Sequence, residues 1–339
     1  MSRPGIREVA SVAEVAIGTV SNFLNHPERV SEAKSRRIRE AIEALGFVPS
    51  SAGRQLRMGV STLLGYLVPD VSNPHFAEIA ESIERRADER GLSVLIANSH
   101  RSREREDAYL RLFEQHQVRG IIAASHEPLD ARLAAARERG TASVIVGQRA
   151  MDARQPSVSV DDVAGGRLAV EHLVDRGRGR IAFVGGPLSV VQVEERLAGG
   201  SAAARAHGVA WEVIEVAERT LAVGRAVGEA LVARAPQARP DAVFGANDLL
   251  ALGVLQALVA AGIAVPDEIA VVGFDDTEFA AASVIPLTSV STRHAGFGEA
   301  VVDVLFDTIS GRQPAQPHRV FAPELIVRGS TGDTEGAVA

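Results

Sequence analysis

From Leu63 onward the chain alternates short apolar runs with longer amphipathic stretches, and this alternation limits the available folds more than any other feature. The runs are Leu63–Val68, Ser93–Ala97, Gly120–Ala124, Ser143–Val146, Ile181–Val184, Ala242–Phe244 and Ile269–Gly273. A strand that is apolar at successive positions is covered on both faces, which is the habit of parallel sheets flanked by helices. The stretches between them, such as Phe76–Arg90, Arg103–His116, Gly165–Arg176 and Leu249–Ala261, have helical spacing. With Trp211–Val216 there are more strands than one five- or six-stranded sheet needs. We therefore expect two similar doubly wound α/β subdomains. No tandem repeat of 20–50 residues is present.

At 339 residues the chain is long enough for two or three domains. Hydrophobic residues make up 46% and charged residues 23%, the balance of a globular protein. No apolar run approaches the ~18 residues of a membrane span, and no secretory leader opens the sequence. Without cysteine, disulfides and thiolate chemistry are excluded. A cytoplasmic location with no membrane partner is the expectation. The net charge of −7 hides an asymmetry: residues 1–60 hold nine basic and six acidic side chains, whereas the remainder is acidic. A basic head on an acidic body suits a head that meets a polyanion, although an excess this small also arises by chance.

The head reads as three short helices. Arg7 to Ala13 places Val9, Val12 and Ala13 on one face, and Ile17 to Asn25 places Val20, Phe23 and Leu24 on another. Ser31 is the expected N-cap of a third helix that buries Ile38, Ala41, Ile42 and Leu45 and stops at Gly46. Two helices joined by a three-residue turn and braced by a third make a helix-turn-helix. A small helical dimerisation cap would share the pattern.

Enzyme motifs are missing. Gly177-Arg178-Gly179-Arg180-Ile181-Ala182 fits G-x-G-x-x-A formally, but it precedes a strand where a dinucleotide site must follow one. No Walker A, H-E-x-x-H or G-x-S-x-G string occurs, and the nine histidines show no i, i+4 pair. The reading is therefore not an enzyme, with no cofactor and no metal.

Eight strings in order make the chain similar to the LacI/GalR (lactose-repressor) family of bacterial transcription regulators. They begin with Val9-Ala10…Val15…Thr19-Val20-Ser21…Leu24-Asn25…Val30-Ser31 and Leu45-Gly46-Phe47-x-Pro49. Leu67-Val68-Pro69-Asp70, Gly185-Gly186-Pro187, Glu195-Arg196-Leu197-Ala198-Gly199, Asn247-Asp248, Val265-Pro266 and Val272-Gly273-Phe274-Asp275-Asp276 follow. The resemblance implies a homodimeric, allosteric regulator, most simply a repressor. Its parts would be a DNA-binding head over 1–47, a hinge over 48–60, a periplasmic-binding-protein-like body over 61–330 and a tail over 331–339. The body's chain would cross between subdomains near 160, 291 and 321.

On that basis the second helix enters the major groove of a palindromic double-stranded operator. Ile17, Gly18, Ser21 and Asn22 would reach base edges; Asn22 suits adenine and Ile17 a thymine methyl, with core packing the alternative for Ile17. Thr19, Asn25 and Ser31 suit phosphates. Leu56 matches the hinge leucine that wedges into the minor groove, unless the linker is merely flexible. Three departures stand out. Glu14 replaces a turn glycine, Ala16 a capping serine, and Gly18 weakens the reading helix by ~1 kcal/mol.

The effector would lie between subdomains. His75, Phe76 and Arg149 would form one lip, and Gln192, Arg196, Asn247 and Asp275 the other, with Arg219 near the position where relatives stack an aromatic. Asp275 suits sugar hydroxyls or a helix cap; Arg196 suits ligand or an ion pair; Phe76 suits stacking or core. Gln148 replaces a frequent aspartate. Three arginines against Asp275 favour a sugar acid or sugar phosphate over the neutral sugar usual in the family. A sugar-binding receptor and a sugar-processing α/β enzyme are the alternatives.

Overall fold

The computed structural model describes residues 4–48, 61–292, 294–312 and 314–332, with backbone only for 294 and 295. The predicted hinge leucine Leu56 and the tail beyond 332 lie outside the described residues. The chain falls into two compact units, Met1–Ser61 and Thr62–Ala339.

In the first unit, α1 (Ile6–Val12), α2 (Ile17–Asn25) and α3 (Glu32–Leu45) close over Val9, Ala10, Ala13, Val20, Ile38 and Ala41. Val12 is not part of that core and is 54% exposed. At 100° per residue the buried arc is centred between Val9 and Ala10, which swings Val12 outward. Ser31 holds the N-cap position of α3, but its side chain makes no capping bond; only its carbonyl serves, accepting from the Ser35 amide at 2.9 Å. Gly46 ends α3 in the left-handed region, φ 61°. Glu14 also takes a left-handed φ, 51°, in the α1–α2 turn.

The second unit holds two six-stranded sheets. One contains β1 (Leu63–Val68), β2 (Ser93–Asn98), β3 (Gly120–Ala124), β4 (Ala142–Val146), β5 (Ser157–Val160) and β11 (His318–Phe321), all parallel, in the order β11-β5-β4-β3-β1-β2. The other contains β6 (Arg180–Gly185), β7 (Ala210–Glu215), β8 (Ala242–Gly245), β9 (Ala270–Asp275), β10 (Thr288–Ser291) and β12 (Glu324–Ile326). Its order is β12-β10-β9-β8-β6-β7, with only β12 antiparallel. Interior strands such as β3 and β9 are buried along their whole length. The chain passes from one sheet to the other after β5, after β10 and after β11.

Four strands escape the apolar-run criterion: β5, β10, β11 and β12. The first two read Ser-Val-Ser-Val and Thr-Ser-Val-Ser. They are buried because their hydroxyls find partners. Ser157 Oγ accepts from the Ala150 amide, Ser289 Oγ donates to Asp248, and Thr288 Oγ1 lies 2.7 Å from the Thr331 hydroxyl.

The helices packed on the sheets are α4 (Pro74–Asp88), α5 (Arg103–Gln115), α6 (Asp130–Glu138), α7 (Asp162–Asp175), α8 (Val191–His207), α9 (Leu221–Val232), α10 (Asp248–Ala260), α11 (Glu278–Ala282) and α12 (His294–Ile309). The α7–α8 contact sets the site. A Cβ at Gly199 would lie 2.0 Å from the Val163 carbonyl oxygen, and one at Gly166 2.0 Å from the Arg196 carbonyl oxygen. Only glycine admits that approach, which lays Arg196 of α8 against Asp162 of α7.

Candidate functional site

The second helix of the head, α2, buries Val20 against the head core and turns its opposite face to solvent. Ile17, three residues before Val20 and so on the same side of α2, is nonetheless 48% exposed at the helix start, which speaks against the core-packing alternative. Gly18 and Asn22 are exposed too, while Thr19 and Ser21 are half-buried. Asn25 Nδ2 donates to the Ser21 carbonyl at 2.6 Å, so that amide is committed to its own helix. Ala16 caps α2 without a side-chain bond. Glu14 lies 3.6 Å from Arg37, a solvent-exposed pair that contributes little. The left-handed turn that glycine would make freely is thus taken at a conformational cost.

In the body, loops beyond the C-terminal ends of strands from both sheets close on one cleft of about 700 Å³, counted to its open mouth. This is the switch-point position where open α/β sheets bind ligands, and the size suits a small molecule. His75, Phe76, Gln192, Arg196, Arg219, Asn247 and Asp275 all line it. Arg149 does not. It is exposed, because the chain turns at Gly147 (φ 83°) and folds Gln148 inward instead, where its Nε2 donates to the Glu127 carbonyl at 3.1 Å.

Asp275 ends β9 only 3% exposed. One carboxylate oxygen lies 3.6 Å from Arg196 Nη1 and 3.7 Å from His75 Nδ1. It does not cap a helix, since Thr277 holds the N-cap of α11. Asp275 and Asp276 have φ of 104° and 57°, two successive strained residues of the kind that gather at functional sites. Arg328 holds Asp276 at 2.7 Å.

Arg196 is an ion-pair residue first. Its Nε donates to Asp162 Oδ1 at 2.7 Å, its Nη1 to the Ala246 carbonyl at 2.6 Å, and the guanidinium stacks on Phe274 with 3.6 Å from Cζ to the ring centre. Burial pushes the Asp162 carboxyl up to about 6 against the pull of Arg196. Asn247 caps α10, accepting from the Leu250 amide at 3.1 Å. Phe76 is floor and core at once, in edge contact with the His75 ring 5.2 Å away. Across the cleft Gln192 Nε2 donates to the Gly147 carbonyl at 2.9 Å, and Arg219 Nη2 lies 2.8 Å from His126 Nε2. Burial, with Arg219 and Arg101 close by, drives the His126 imidazole down to about 3, so it stays neutral.

The head matches the model for bacterial regulatory proteins of the lacI family over residues 5–50, and residues 170–331 match the periplasmic binding protein-like domain. The ribose operon repressor of Escherichia coli (strain K12) is 31% identical, with 96% of this chain and 99% of that protein covered. The chain belongs to the lacI family. Among solved structures, the lac repressor dimer bound to operator and the anti-inducer ONPF superposes with a TM-score of 0.79 at 28% identity, covering 97% of this chain and 99% of that one. A transcriptional regulator CelR–cellobiose complex gives 0.70 at 30% identity, covering 97% and 100%.

This lacI-family member is thus a sequence-specific DNA-binding transcriptional repressor with an effector-holding body, and its relatives are regulators. Among the cleft residues of the lacI-family protein that sequence reasoning missed are the titratable His126 and Asp162. His126 stands two residues past β3, which the switch-point rule would have flagged. Asp162 follows β5, the Ser-Val strand that no apolar run marks. Among the described residues, no group of three or more His, Asp or Glu side chains is placed to hold a metal, and no helix is long and apolar enough to cross a membrane.

Proposed function

We propose that this lacI-family regulator works as a cytoplasmic homodimer without enzymatic activity, repressing from a palindromic operator and switched by a small polyhydroxylated effector in the body cleft. Asp275 carries the reading: a buried, backbone-strained carboxylate at a strand end, aimed into a cleft, suits two sugar hydroxyls. Asn247 and Gln192 add side-chain amides beside it. Sugar-related names among the relatives support the same class, including the ribose operon repressor and the CelR–cellobiose complex. On the head, exposed Ile17 and Asn22 are the base readers, Gly18 lets the helix approach closely, and Thr19, Ser21 and Ser31 face the backbone or base edges. Asn25 steadies α2 from within.

Effector binding would replace the Gln192–Gly147 and Arg219–His126 contacts across the cleft. It would shift the equilibrium between two subdomain arrangements, and with it the operator-competent population. Two measurements test this. Genomic fragments retained by the purified protein should share a palindrome, and a sugar panel should change the affinity for that site. Asp275→Asn should abolish the sugar's effect. Retained fragments with no common two-fold sequence, or an unaltered sugar response in the variant, would overturn the reading.

A further inference from the structure

One corner of the cleft offers donors with almost nothing to receive them. Arg219 Nη1 donates to the Gly186 carbonyl at 2.8 Å and Nη2 lies 2.8 Å from His126 Nε2. No carboxylate among the described residues lies within 4.0 Å of its guanidinium, whereas the other cleft arginine, Arg196, has Asp162 at 2.7 Å and Asp275 at 3.6 Å. A guanidinium can only donate, so His126 Nε2 must accept and the imidazole proton must sit on Nδ1. That N–H makes no hydrogen bond to any described residue. Burial and the nearby Arg196 hold the Arg219 cation down to about 10, as befits a charge short of counter-charge. Asp275 and Asp70 are the carboxylates close enough to offset it, and neither touches it. Arg101, at the same mouth, is already shared between Asp70 at 3.7 Å and Glu218 at 3.9 Å.

We propose that Arg219 and His126 form an anion subsite, so that the effector is a polyol bearing one carboxylate or phosphate group. The inference rests on the reading of the cleft as an effector site. The two ends of the cleft then divide the work. Asp275 accepts hydroxyls, while Arg219 leaves His126 to grip the anion, with His126 Nδ1–H as an additional donor. Arg149 and Arg196, the arginines that sequence alone favoured for an anion, are respectively outside the cleft and neutralised by Asp162. A planar guanidinium meets a carboxylate or phosphate through two parallel bonds, which makes arginine the apt residue for this end.

The test is isothermal titration of the full-length protein with matched probes: D-glucose, D-gluconate and D-glucose 6-phosphate, and D-ribose with D-ribose 5-phosphate. In at least one series the anionic member should bind tenfold or more tightly than its neutral partner, and the acid and phosphate arms show which anion fits. Arg219→Gln should erase that preference. It should leave the melting temperature of the ligand-free protein unchanged or raised, since it removes an under-compensated, half-buried cation. Equal or tighter binding of the neutral sugars overturns the subsite. So does a parallel loss of neutral and anionic binding in Arg219→Gln, or a fall of its ligand-free melting temperature by more than about 5 °C, which would mark a purely structural arginine. Asp275→Asn, titrated alongside, separates the two readings. If it changes nothing while Arg219→Gln abolishes the preference, the hydroxyl anchor is wrong and the anion subsite stands. Silence from every probe overturns both.

Discussion

Asn22 on the reading helix and Asp275 in the cleft are both candidate recognition residues, yet they live under opposite physical regimes. Asn22 stands exposed, and its side chain makes no hydrogen bond to another described residue. Asp275 is buried and sits among Arg196, Asp162 and His75, charges that hold one another in place. Recognition on an exposed helix face can therefore be changed without unsettling the fold. In the cleft, the groups that would read a ligand also balance buried charge, so specificity and stability are coupled.

The widest test of that contrast is Arg196→Ala. It strands Asp162 without its partner and should destabilise the body by ~3–5 kcal/mol in chemical denaturation. A loss under about 1 kcal/mol would show that the cleft charges are as independent as the head's side chains. A response confined to effector binding, as an arginine that only contacts ligand would give, is not expected.

The next effect is one of pH. His126 has its folded value near 3, below the ordinary histidine value of ~6.5. Its neutral form therefore contributes stability that is fully present above about pH 6.5 and is lost as pH falls toward 3, by up to ~1.4 kcal/mol per pH unit. Between pH 6.5 and 5 the wild type should lose up to ~2 kcal/mol from this source, and His126→Gln should flatten that part of the profile. Identical pH profiles would remove His126 from the account.

On the head, Asn22→Ala should cost about 1–3 kcal/mol at one base position per half-site while leaving thermal stability unchanged. Operator variants separate the cases, because a uniform loss across all sequences would mean backbone contact only. The smallest change expected is Gly18→Ala. An added Cβ there meets nothing within 4 Å, so the head should gain ~1 kcal/mol. The same substitution at Gly199 would drive a Cβ to 2.0 Å from a carbonyl oxygen. Gly18→Ala that stabilises the head yet weakens operator binding would show that the glycine serves close approach to DNA.

Much of this was legible in the residues. Both-face-apolar runs mark the central strands, helical spacing places Ile17–Asn25 as the structure has it, and the resemblance to the lacI family points to Asp275. The strands β5 and β10 were invisible, since their burial depends on hydroxyl partners outside the strands, such as the Ala150 amide and Asp248, rather than on apolar side chains. Val12 was misplaced because a seven-residue helix offers two overlapping apolar arcs, and packing against its neighbours selects one.

Local spacing, then, determined the elements, their order and the strand ends where a ligand site must lie, because hydrophobic period and turn chemistry act over a few residues. Which charges meet was decided only by the tertiary structure. Arg196 pairs with Asp162 34 positions away because two glycines let α7 and α8 touch. Arg219 faces His126 across 93 positions because two separate sheets bring their strand ends to one cleft. Arg149 is lost to solvent through one left-handed glycine. Coulomb and hydrogen-bond energies depend on distances of a few ångströms, and those distances exist only once the sheets have closed.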